Sequence, residues 1–75
     1  MVDMIYVDSS NIEAIGYNSD AQELYIRFIS GATYIYYAVP DHIYEELLDA
    51  PSKGSYFNRV IKGVYEYGTS PMKSP

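Results

Sequence analysis

Between Ser52 and Gly63 the chain reads Ser-Lys-Gly-Ser-Tyr-Phe-Asn-Arg-Val-Ile-Lys-Gly, which gathers cations, aromatic rings and an amide in one short run. Lys53 lies in the approach to this run, where small residues ahead of a helix expose backbone N–H groups that attract anions. Arg59 and Lys62 stand three apart, so on an α-helix they share a face, and Tyr56, three before Arg59, extends the stripe. A ring beside two cations can stack a base and hold a phosphate, which is the chemistry of RNA or nucleotide capture. Tyr34 and Tyr36 alternate along one strand and stand together on one of its faces, as in sheet-based stacking surfaces. Asn58 is a mediocre helix former; it either secures backbone in the neighbouring turn beside Gly54, the commoner role for asparagine, or faces a ligand. The competing reading is plain: the tyrosines cover core and the cations are solvated.

Catalytic chemistry has weaker support. The lone histidine, His42, falls in the first turn of an expected helix, where surface and capping roles are usual. Glu45 and Glu46 are adjacent on that helix, so their carboxylates point about 100° apart and do not converge. Ser9-Ser10 precedes a strand rather than a sharp strand-to-helix elbow. With no cysteine there is no thiolate nucleophile, no thiolate metal site and no disulfide framework. The remaining acids lack metal-ligand spacing, and the glycines are too scattered for a phosphate-cradling loop. The expectation is a binding module, not an enzyme, that carries neither metal nor cofactor.

The elements that must position these residues follow from hydrophobic period. Ile12 to Tyr17 is a short strand. Leu24 to Ile29 alternates, with Leu24, Ile26 and Phe28 on one face and Tyr25, Arg27 and Ile29 on the other. Ser30-Gly31 makes a tight turn in which Gly31 is free to take positive φ. Thr33 to Val39 is β-branched or aromatic at most positions. Links this short force an antiparallel meander, and Met4 to Val7 adds a fraying edge strand. The period then changes. Val39-Pro40-Asp41 starts a helix whose stripe is Ile43, Tyr44, Leu47 and Leu48, and Ala50-Pro51 stops it. A second short helix carries Phe57, Val60, Ile61 and Val64 on one face and ends at Gly63. Val64 to Tyr67 is a possible last strand, and Gly68 to Pro75 reads as a loose tail. The class is α+β: a small antiparallel sheet of three to four strands with two short helices packed on one face.

Size and charge set the outer bounds. Seventy-five residues make a single domain, expected over 1–68 with a flexible tail at 69–75. Nine acids against Arg27 give −8 for residues 1–50, and Glu66 against Lys53, Arg59, Lys62 and Lys73 gives +3 for residues 51–75. Only one side of the molecule therefore favours a phosphate, and few phosphate contacts are expected. Ten tyrosines suit protein interfaces as well as bases, so a protein partner or a homo-oligomer is the alternative to RNA. A pocket that sequesters a small nucleotide signal is a further one. No apolar run is long enough to cross a bilayer and the N-terminus lacks a signal-peptide pattern, so a cytoplasmic protein is expected.

The sequence also resembles the KTSC domain, a short module named for its place at the C-terminus of some lysyl-tRNA synthetases and found free-standing in bacteria and phages. The resemblance is carried in order by Ser9-Ser10-Asn11-Ile12, Ile15-Gly16-Tyr17, Leu24 to Phe28 with Ser30-Gly31, Tyr34-Ile35-Tyr36 and Val39-Pro40. It continues through Tyr44-Glu45-Glu46-Leu47, Ser52 to Asn58 and Ile61-Lys62-Gly63-Val64-Tyr65. It implies no established activity. A role in RNA binding is implied by the fusion to a synthetase, which is association rather than mechanism.

Overall fold

The structure, a computed structural model, describes residues 2–69. Among the described residues, five strands form one sheet in the order of the sequence: β1 (Ile5–Tyr6), β2 (Ile12–Asn18), β3 (Glu23–Phe28), β4 (Thr33–Tyr36) and β5 (Tyr67–Thr69). Every neighbouring pair is antiparallel. The expected α+β meander is present, with five strands rather than three or four. Between β4 and β5 run helix α1 (Asp41–Asp49), the short helix α2 (Lys53–Tyr56) and a π-helical segment, Phe57–Ile61.

The register decides which residues become core. Leu24 pairs with Tyr36 and Ile26 with Tyr34, while Ile15 and Tyr17 stand opposite Ile26 and Leu24. Paired residues share a face, so these side chains form the surface onto which Ile43, Leu47, Phe57 and Ile61 pack. Leu24, Ile26, Leu47 and Ile61 are completely buried. The alternation of Leu24, Ile26 and Phe28 predicted this side correctly. Ile35 lies on the opposite sheet face and outside the core cluster.

Local chemistry sets the turns. Gly31 takes φ 104° in the β3–β4 hairpin, where its N–H donates to the Phe28 carbonyl at 2.8 Å. Asn18 Oδ1 accepts from the backbone N–H groups of Asp20 and Ala21, organising the β2–β3 turn. β4 was expected to run to Val39 and stops at Tyr36. The reason is Ala38, whose φ of 58° is left-handed and turns the chain. Val39 is thereby swung inward, fully buried, and its N–H donates to the Gln22 carbonyl at 2.9 Å.

The last strand also lies further along than expected. Gly63 takes φ 79° and closes the helical region, as its type suggested. Val64, expected on the buried stripe, is 64% exposed because the chain has already left the helix there. Pairing resumes at Tyr67, so Gly68 and Thr69 belong to β5 rather than to a tail. Residues 70–75 of the expected tail lie outside the described residues. Among the described residues no helix is long and apolar enough to cross a membrane.

Candidate functional site: an aromatic cleft beside the second helix

Helix α2 and the π segment are held against the sheet end by contacts their sequence explains. Ser52 caps α2, its Oγ accepting from the Ser55 N–H at 3.3 Å. Gly54 sits within the helix, where Ala would gain about 1 kcal/mol of propensity. A Cβ there would lie 2.7 Å from Asn11 Oδ1, so the glycine makes room for the loop ahead of β2. That loop is ordered by Ser9, whose Oγ accepts from the Ile12 N–H and donates to Asn11 Oδ1. The Asn11 carbonyl in turn accepts from the Ile29 N–H at 3.0 Å. The Ser9-Ser10-Asn11 loop, the β3–β4 hairpin and the π segment are thus brought to one end of the fold.

They enclose a cleft of about 430 Å³. Four rings line it: Phe28, Tyr34, Tyr36 and Phe57. Phe28 and Phe57 meet edge to face at 5.5 Å, as do Tyr36 and Phe57 at 5.4 Å. Around these rings stand Ser10 and Asn11 from the loop, Ser30 from the hairpin, and Asn58 and Lys62 from the helical side. No carboxylate lines the cleft among the described residues.

The six expected binding residues are divided by the structure. Lys62 is exposed and lines the aromatic cleft together with Asn58 and Tyr34. Arg59 instead lines a separate cleft with Glu46, Asp49 and Tyr56. The expectation that Arg59 and Lys62 share a face assumed an α-helix. Here the Lys62 N–H donates to the Phe57 carbonyl, five residues back, at 2.9 Å, and the wider turn changes the direction in which Lys62 leaves. Lys53 lines neither cleft; its Nζ donates to the Ala50 carbonyl at 3.0 Å and caps the end of α1. The three cations do not line one cleft.

Two of the expected stacking rings are core. Tyr36 is 3% exposed, because its position opposite Leu24 turns it toward the helices. Burial, with Tyr67 and Tyr34 beside it, pushes its phenol up to about 12. Tyr56 is 9% exposed and its hydroxyl donates to Glu46 Oε1 at 2.6 Å. Burial and then that carboxylate raise it to about 12. Tyr34 is half-buried and stacks on Tyr67 at 5.3 Å with 19° between the rings. Asn58 is exposed and makes no side-chain hydrogen bond among the described residues, so the structure shows no backbone-securing role for it. Gly54 acts structurally, through Asn11.

Sequence reasoning missed Ser10, Asn11, Phe28 and Phe57 as cleft residues. One signal for the loop was available: a glycine inside a helix marks a close approach, and something had to approach Gly54.

The comparisons with known proteins agree with one another. The KTSC domain family model matches residues 8–65. A protein of Tsukamurella paurometabola is 48% identical over 56 residues, which cover 75% of this chain and 84% of that one. A lysine–tRNA ligase of Trichormus variabilis is 45% identical over 60 residues, 80% of this chain, and the match spans 11% of the ligase. The crystal structure of a KTSC domain protein from Yersinia pestis superposes with a TM-score of 0.91 at 36% identity. That match covers 93% of this chain and 99% of the other.

Proposed function

We propose, from the premise that this chain belongs to the KTSC domain family, that it is a non-enzymatic binding module for RNA or another phosphate-bearing nucleotide. One observation carries the reading: a single cleft joins four aromatic rings to Lys62 and Asn58 without a lining carboxylate among the described residues. With Tyr36 and Phe57 buried behind them, the half-buried Phe28 and Tyr34 offer ring surface to an unpaired base, the Asn58 amide meets its edge and the Lys62 ammonium its phosphate. Relatives named as lysine–tRNA ligases carry a similar segment, which is compatible with a nucleic-acid role and shows none. His42 is exposed and does not line the cleft.

The test is a thermal-shift panel of short single-stranded RNA, mononucleotides and cyclic nucleotides. At least one class is expected to raise the midpoint, and Lys62→Gln and Asn58→Ala are each expected to reduce that shift. No shift with any class, at millimolar ligand, would overturn the reading.

A second reading, self-association, is favoured by a different observation. Tyr6, Tyr37, Val64 and Tyr67 are 69%, 40%, 64% and 59% exposed, which is much apolar surface for so small a molecule.

A further inference from the structure

We infer that the aromatic cleft takes a single nucleotide unit, one unpaired base with one phosphate, rather than a run of strand; this rests on the nucleotide reading above. The cations decide it. Among the described residues, Lys62 is the one charged side chain that lines the cleft. Arg59 shares its own cleft with Glu46 and Asp49, whose charges oppose a second phosphate. The Lys53 ammonium is held on the Ala50 carbonyl. The net charge of −5 further disfavours a longer polyanion.

Space and stacking agree with the charge count. The volume of about 430 Å³ lies toward the small end of ligand sites, which run from about 300 to 1,000 Å³. Tyr67 already covers one face of the Tyr34 ring, leaving at most one further stacking position on it. The exposed Asn58 amide, a donor and an acceptor with no side-chain partner among the described residues, is placed to read the edge of one base. The same unit could be a free nucleoside monophosphate or a nucleotide splayed from single-stranded RNA, and the two sources share this chemistry.

The experiment titrates the full chain, by NMR or fluorescence, with the four nucleosides, their monophosphates and a short single-stranded RNA over a range of salt. Monophosphates are expected to bind at least about tenfold more tightly than nucleosides, the worth of one charge-assisted contact. The log–log salt slope for the RNA is expected near −0.7, the value for one neutralised phosphate on a single strand. Lys62→Gln should remove the phosphate advantage, while Arg59→Gln and Lys53→Gln should leave it intact. Binding by the monophosphate alone assigns the free source, and binding by RNA with a slope near −0.7 assigns the strand; either supports the inference. A slope near −2, with Arg59→Gln as damaging as Lys62→Gln, overturns it and leaves the nucleotide reading standing. Nucleosides binding as tightly as monophosphates overturn it as well. No binding in any arm overturns both.

Discussion

Five phenols are held as acceptor-facing or buried groups that resist ionisation, and Tyr17, Tyr36 and Tyr56 do so most strongly. Tyr17 donates to the Val39 carbonyl and lies 2.9 Å from Asp41 Oδ1, so one proton serves two acceptors where β2 meets the start of α1. Burial, and then Asp41, raise it to about 12, as burial does first for Tyr36 and Tyr56. In the unfolded chain these groups ionise near 10. Between those values the folded state binds more protons, so their contribution is whole below pH 10 and is lost as the pH rises toward 12. The thermal midpoint is therefore expected to hold up to about pH 10 and to fall steeply above it. Tyr17→Phe should flatten part of the fall. A midpoint indifferent to alkali up to pH 12 would contradict this assignment.

At the scale of elements, Ala38 is the clearest place to intervene. Its left-handed backbone, φ 58°, costs an L-residue with a Cβ roughly 1 kcal/mol. Ala38→Gly removes that cost and gives back part of it as unfolded-state entropy. A net gain of a few tenths to about 1 kcal/mol is expected in urea unfolding, with the m-value unchanged. A loss would show that the Ala38 methyl packs better than its exposed position indicates. Ala38 also marks where sequence reading fails. Thr33 to Val39 has the composition of a strand throughout, and no residue type in it announces a left-handed turn. By contrast, Leu24, Ile26 and Phe28 revealed the buried sheet face by alternation, and Gly31 and Gly63 revealed the turns they occupy. The faces of Tyr34 and Tyr36 were separable from their neighbours, but not which face was wet. That answer lay in the hairpin register, which sets Tyr36 against Leu24. The π segment was illegible for a similar reason: Phe57, Val60 and Ile61 fit an α stripe well enough that nothing warned of the extra residue in the turn. The wider turn changes the angle between Arg59 and Lys62, and the two line different clefts.

For the whole molecule, charge and exposed rings pull in different directions. The net charge of −5 repels a second copy, while Tyr6, Tyr37, Val64 and Tyr67 favour burial against one. Sedimentation velocity across a concentration series at raised salt separates the two. Screening removes most of the repulsion, so if the rings form a homo-oligomer interface the molecular weight is expected to rise with concentration. A monomer throughout excludes self-association and leaves the cleft as the functional surface.

The strands at the margins of the sheet bear on what such contacts can be. β1 contributes two residues and β5 three. A margin that short exposes few unpaired amides, so an incoming chain finds little backbone to copy and strand-by-strand templating toward fibrils is discouraged. A neighbour docking on either margin must therefore rely more on side chains than on backbone pairing.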